Sequence, residues 1–130
     1  MTNMKNQNPK PFRSPRQDEY WLDERIYIQE LMNAPQEPDI SLSRFRVPSG
    51  TTTQLHKLTI TEWYVMESGS CIVEINGQKT KMNAGDNLKI SPGQSQRVIN
   101  DGDEELIFQS ICMPRWMPEC YINLEDDEQS

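Results

Sequence analysis

The chain has a single histidine, His56, in 130 residues, and three cysteines, none of them in a CxxC pair. One imidazole leaves nothing to build a centre of several histidines, and three thiols cannot all pair into a disulfide framework. Cys71, Cys112 and Cys120 therefore read as free thiols in a reducing cytoplasm. Apolar residues are also scarce, at 35% with a mean hydropathy of −0.79, so part of the length is expected to be arm or tail. No apolar run approaches the roughly 20 residues of a membrane-spanning helix. Residues 1–16 also lack the apolar stretch of a signal peptide. A soluble cytoplasmic protein with no membrane partner is expected.

Basic charge is sparse and badly placed for binding phosphates. Lys and Arg number 13 against 20 Asp and Glu, a net charge of −7. Four cations and no acid lie in residues 1–16, seven acids and one cation in 17–40, eight cations and nine acids in 41–124, and four acids in the last six residues. With a near-neutral centre there is no basic face for nucleic acid, which is not an expected partner.

At 15.2 kDa the chain fits one domain. Residues 1–19, with Pro9, Pro11 and Pro15 among polar side chains, are expected to form a flexible arm. Residues 20–124 form the single domain, and 125–130 an acidic tail. Tyr20, Trp21, Leu22, Ile26, Tyr27, Ile28, Leu31 and Met32 fit a strand around residues 25–29 better than a short helix. From Ser41 onward, short β segments alternate with turns. Segments 43–47, 62–66, 71–75, 79–82, 87–90, 96–99 and 105–113 are separated by Pro48-Ser49-Gly50, Ser68-Gly69, Asn76-Gly77, Ala84-Gly85-Asp86, Ser91-Pro92-Gly93 and Asn100-Asp101-Gly102-Asp103. Asn76-Gly77 is the dipeptide of a type I′ hairpin. The expected class is all-β, closed as a small antiparallel barrel or jelly roll behind the N-terminal arm.

Two spacings carry a family resemblance. Gly50, five residues, His56, then Glu62, six residues and Gly69 resembles the first motif of the cupin superfamily, and Gly85, Asp86, Gly93 and Asn100 match the second. Residues 22–125 resemble small single-domain cupins of the RmlC-like kind, described as mannose-6-phosphate-isomerase-like. The resemblance implies a divalent metal held by three histidines and a glutamate. Here the first histidine is His56 and the glutamate Glu62, the second histidine falls on Leu58, and the third on Gln96. The motif's proline falls on Ser91, with Pro92 following.

His56, Glu62 and Gln96 are thus the candidate metal ligands, one nitrogen and two oxygens where transition metals favour several imidazoles. The expectation is no metal, or a weakly bound divalent one, with His56, Glu62 and Gln96 hydrogen-bonding one another in the cavity. Period two sends Tyr64 and Met66 inward with Glu62, and Val98 inward with Gln96, while Trp63 faces outward. His56, Glu62 and Tyr64 are the candidate catalytic residues. Cys112 reads as an inert core thiol or a cavity thiol, and Arg44 and Arg46 as a solvated face or an anion anchor. Arg115 to Glu119 resembles the segment that caps many small cupins.

Two functions stay open. In one, the cavity binds a small polar molecule without turning it over; in the other, an enzyme of isomerase or lyase type uses Glu62, His56 and Tyr64 for acid–base work. Further inward acids or bases would favour catalysis, whereas Leu58, Met66 and Val98 favour binding. The apolar segment 20–32 exceeds what one barrel is expected to cover, which points to a homodimer.

Overall fold

The computed structural model describes residues 9–125; residues 1–8 of the expected arm and 126–130 of the expected tail lie outside it. The first half of the domain forms β1 (Tyr20–Leu22), β2 (Ile26–Met32), β3 (Ser41–Val47), β4 (Thr51–Thr52), β5 (His56–Leu58) and β6 (Thr61–Ser68). The second half forms β7 (Ser70–Ile75), β8 (Gln78–Asn83), β9 (Asn87–Ile90), β10 (Ser95–Asn100), β11 (Leu106–Met113) and β12 (Tyr121–Asn123). Among the described residues the one helical element is a 3-10 turn at Pro118–Cys120, and no helix is long and apolar enough to cross a membrane.

All pairings are antiparallel and build two facing sheets. One runs β1-β2-β3-β11-β6-β9, the other β12-β5-β10-β7-β8, with β4 also on β10. This is the expected all-β barrel. Its interior follows from period-two alternation: Glu62, Tyr64 and Met66 are buried on β6, Gln96, Val98 and Asn100 on β10, and Leu106, Phe108, Ser110 and Cys112 on β11. Phe108 anchors the large core, its ring 5.3 Å from Phe45 and 4.7 Å from Tyr64. Leu58, Cys112 and Cys120 form a smaller cluster with Ile60, Trp116 and Tyr121.

The turns match the motif residues. Asn76 and Gly77 have φ of 50° and 81°, both left-handed as a type I′ turn requires. Gly69, at φ 87°, has no room for a side chain, since a Cβ would sit 2.8 Å from the Glu105 carbonyl oxygen. Asn100 is fully buried. Its Nδ2 lies 3.1, 3.2 and 2.9 Å from the carbonyls of Val47, Pro48 and Glu104, and its Oδ1 accepts from the Gly102 amide. The residue that closes the second motif therefore ties three chain segments together.

The N-terminal segment departs from the single strand expected around residues 25–29. It is a hairpin, β1 with β2, whose three-residue loop is closed by the Arg25 amide on the Leu22 carbonyl at 2.9 Å. Arg25 takes φ 69°, the left-handed residue such loops use, without the glycine that would announce it. Its guanidinium compensates by donating to the Thr52 carbonyl at 2.8 Å and to Glu125 at 2.5 Å. Ser14, within the expected arm, is buried and accepts a hydrogen bond from the Asn33 amide at 2.9 Å. β4, β5 and β12 carry no signal in the sequence; with two or three residues each, they are too short to show alternation.

Candidate functional site

A cavity of about 120 Å³ lies inside the barrel, between the large core and the smaller cluster. That volume is close to the roughly 150 Å³ that accepts benzene in an engineered protein core, so the fitting ligand is of single-ring size. His56, Glu62 and Tyr64 all reach its wall, as expected. Gln96 does not line it. Gln96 is fully buried, and the Tyr64 hydroxyl donates to its Oε1.

The expected triangle of hydrogen bonds among His56, Glu62 and Gln96 is absent. His56 turns Nδ1 onto the Gln54 carbonyl at 2.8 Å. A carbonyl only accepts, so Nδ1 carries the proton and Nε2 holds a lone pair with no protein partner among the described residues. Burial pushes the His56 pKa down, against a smaller upward pull from the Gln54 carbonyl, and the ring stays neutral near pH 7. The imidazole stacks on Tyr121, centroids 4.6 Å apart and planes within 17°.

Glu62 accepts from the Ser110 hydroxyl through Oε2, while its buried Oε1 has no hydrogen-bond partner. Burial lifts its pKa to about 7, and the Ser110 hydroxyl and the nearby Gln96 side chain offset only part of that rise. Gln96 Nε2 is likewise buried and unpartnered, so the two side chains approach without forming a hydrogen bond. Tyr64 is pushed well above the ordinary phenol range, first by burial and then by Glu62, so it is a donor rather than a base.

Three residues of the site escape the sequence reasoning. Ser110 follows from alternation, because it shares the inward parity of Phe108 and Cys112. Glu24 sits in the β1–β2 loop, where its backbone carbonyl accepts from the Gln54 amide at 2.9 Å and its side chain enters the cavity. Burial raises its pKa, with the Tyr121 hydroxyl opposing. Tyr121 comes from β12, lies beside Glu24 and donates to Gln54 Oε1 at 2.6 Å. No sequence signal locates Glu24 or Tyr121, since both depend on how short terminal elements fold back.

Other side chains settle simply. Cys112 lines the cavity, but burial and the Glu62 charge push its pKa far up, so it remains a thiol. Arg44 pairs with Glu67 and Arg46 with Glu19 and Glu105 on the outside, away from the cavity. Trp63 also faces outward, with Lys89 Nζ 5.7 Å from its ring centre. Trp116 lines the cavity, and its amide donates to Ser41 Oγ at 2.9 Å.

The donor set does not fit the divalent metal implied by the resemblance. Leu58 is a buried hydrocarbon where a second imidazole would stand, and Gln96 Oε1 is occupied by Tyr64. His56 and Glu62 supply two ligands, and no group of three His, Cys, Asp or Glu side chains converges among the described residues.

Solved structures share this architecture at low identity. The polyketide cyclase RemF from Streptomyces resistomycificus matches with TM-score 0.72 and 16% identity over 93% of this chain and 89% of that one. KdgF from a Halomonas species matches with TM-score 0.68 and 15% identity over 76% and 87%. The oxalate decarboxylase of Lactobacillus farciminis gives TM-score 0.72 and 20% identity, over 83% of this chain and 33% of that one. At such identity these likenesses establish the fold alone. The model of the cupin domain family matches residues 43–114, the span that holds both motifs, His56, Glu62 and the barrel strands from β3 to β11; the chain belongs to the cupin domain family.

Proposed function

We propose that the barrel interior binds one small molecule and moves a proton on it, in the manner of an isomerase or lyase, without a metal. The observation that carries this reading is the pair on one cavity wall: neutral His56 with a free lone pair on Nε2, and Glu62 with a pKa of about 7. One group takes a proton from the ligand and the other returns one to a different atom, and the Glu62 carboxyl, with its pKa of about 7, can do either near neutral pH. Ser110 orients the Glu62 carboxyl, and Gln54 fixes the His56 tautomer. Tyr64 keeps its proton and, through Gln96, holds the wall in place. Glu24 adds a further acid to the cavity lining, which favours the acid–base reading. The buried, unpaired thiols suit a reducing cytoplasm.

The apolar wall supports a second reading, in which the cavity holds its ligand unchanged; Leu58, Val98 and Phe108 all contribute to it. Incubating the protein in D2O with a panel of single-ring carbonyl compounds separates the two. Deuterium incorporation by NMR that is lost in Glu62→Gln and in His56→Asn supports proton transfer. Binding to the wall residues with no incorporation from any member favours the passive site.

A further inference from the structure

The barrel interior holds acids and no lysine or arginine to meet them. Three glutamates, Glu24, Glu30 and Glu62, line the cavity, and among the described residues no lysine or arginine does. On the neighbouring strands β3 and β10 the arginines lie off the cavity wall and are paired, Arg44 with Glu67, Arg46 with Glu19 and Glu105, and Arg97 with Glu74, and Lys57 on β5 does not line the cavity either. His56, the remaining candidate cation, spends its one proton on the Gln54 carbonyl. Nothing in the wall offsets a second anion.

Two further observations point to what would offset the acids. Glu62 Oε1 is an acceptor in a residue only 5% exposed, on the cavity wall, with no hydrogen-bond partner, and the unpaired Gln96 Nε2 nearby does not line the cavity. Buried acceptors of this kind cost free energy until something donates to them. Six aromatic residues, Tyr20, Phe45, Tyr64, Phe108, Trp116 and Tyr121, share the wall with the glutamates, alongside aliphatic and small polar side chains. Aromatic faces attract cations and give anions nothing comparable.

We propose that the ligand of this cavity is a small organic cation, a protonated amine of single-ring size whose N–H groups donate to Glu62 Oε1 and Glu24 within the aromatic wall. The proposal rests on the reading of the cavity as a small-molecule site and narrows it to a charge class. It sets carboxylates and phosphate esters aside as ligands, because each would place an anion among three acids with no guanidinium or ammonium to meet it.

The test uses three probes of equal size and different charge, benzylamine, benzyl alcohol and benzoate, titrated at neutral pH into the full-length protein and followed by amide NMR. Benzylamine is expected to shift the wall residues and to bind roughly tenfold or more tighter than benzyl alcohol, with benzoate giving no saturable shift. Glu24→Gln, and independently Glu62→Gln, should weaken benzylamine by roughly tenfold and benzyl alcohol distinctly less, in variants whose spectra stay dispersed. Benzoate binding as tightly as benzylamine, or both variants leaving benzylamine unaffected, overturns the charge preference while the small-molecule reading stands. If none of the three shifts the wall, that reading falls and the charge preference falls with it.

Discussion

Replacing Glu62 by glutamine should make the protein more stable in mild alkali and change the way its stability depends on pH. The carboxyl is buried, and its pKa stands at about 7 against 4.5 when exposed in the unfolded chain. Between those values the folded state holds a proton that the unfolded state has released, so stability falls as pH rises. A tenfold difference in proton affinity between the two states corresponds to about 1.4 kcal/mol, and the span from pH 5 to pH 8 captures most of the interval, giving a loss of roughly 2–3 kcal/mol. Glutamine keeps an oxygen for the Ser110 hydroxyl and carries no titratable proton. The quantity to measure is the difference in unfolding free energy between wild type and Glu62→Gln, from urea denaturation at pH 5 and at pH 8. Taking the difference cancels the other titrating groups. The variant should gain on the wild type by roughly 2–3 kcal/mol across that range. A difference that stays flat would mean that Glu62 is solvated or already paired, and the proton-transfer reading would lose its acid.

Asn100→Ala should cost about 2–4 kcal/mol, because three carbonyls lose their shared donor inside the fold, and thermal unfolding would register it; a loss under about half a kcal/mol contradicts the role assigned to that side chain. Elemental analysis of protein dialysed without chelator should find well under one equivalent of transition metal, and Leu58→His together with Gln96→His should raise uptake. His56 should titrate by NMR below the 6.5 of a free imidazole, as burial requires, and a raised value would point to a partner carboxylate instead. The homodimer expected from residues 20–32 is proposed to form along β1, an edge strand whose Trp21 is 47% exposed; light scattering should give a dimer for the full chain and a monomer for Trp21→Glu, and a monomeric full chain would refute it.

The legible parts of the molecule are those with a local cause. Asn76-Gly77 specifies its own turn, alternation along β6 and β10 assigns inward residues one by one and brings Glu62 and Tyr64 to the cavity wall, and His56 is reached from the spacing of the first motif. Gln96 obeys the same parity yet ends behind the wall, since parity gives the face of a strand and not the depth of a side chain within a barrel. Glu24 is beyond reach for a different reason. Its position depends on Arg25 adopting a left-handed conformation that only distant partners, the Thr52 carbonyl and Glu125, make worthwhile. Tyr121 likewise depends on a three-residue strand whose pairing with β5 is set by the packing of the whole chain end.

Gly69 and Asn100 lie outside the cavity wall, and what they hold together is the crossing of loops at the rim of the sheets. The scaffold and the chemistry are therefore held by separate residues, like the frame of a lock and its tumblers. Leu58, Gln96 and Glu24 can be exchanged in an engineered series to recruit an ion, reverse the charge preference or empty the pocket of titratable groups, with the rim untouched. A barrel arranged in this way can be rekeyed one side chain at a time, and each new key can be scored against an unchanged fold.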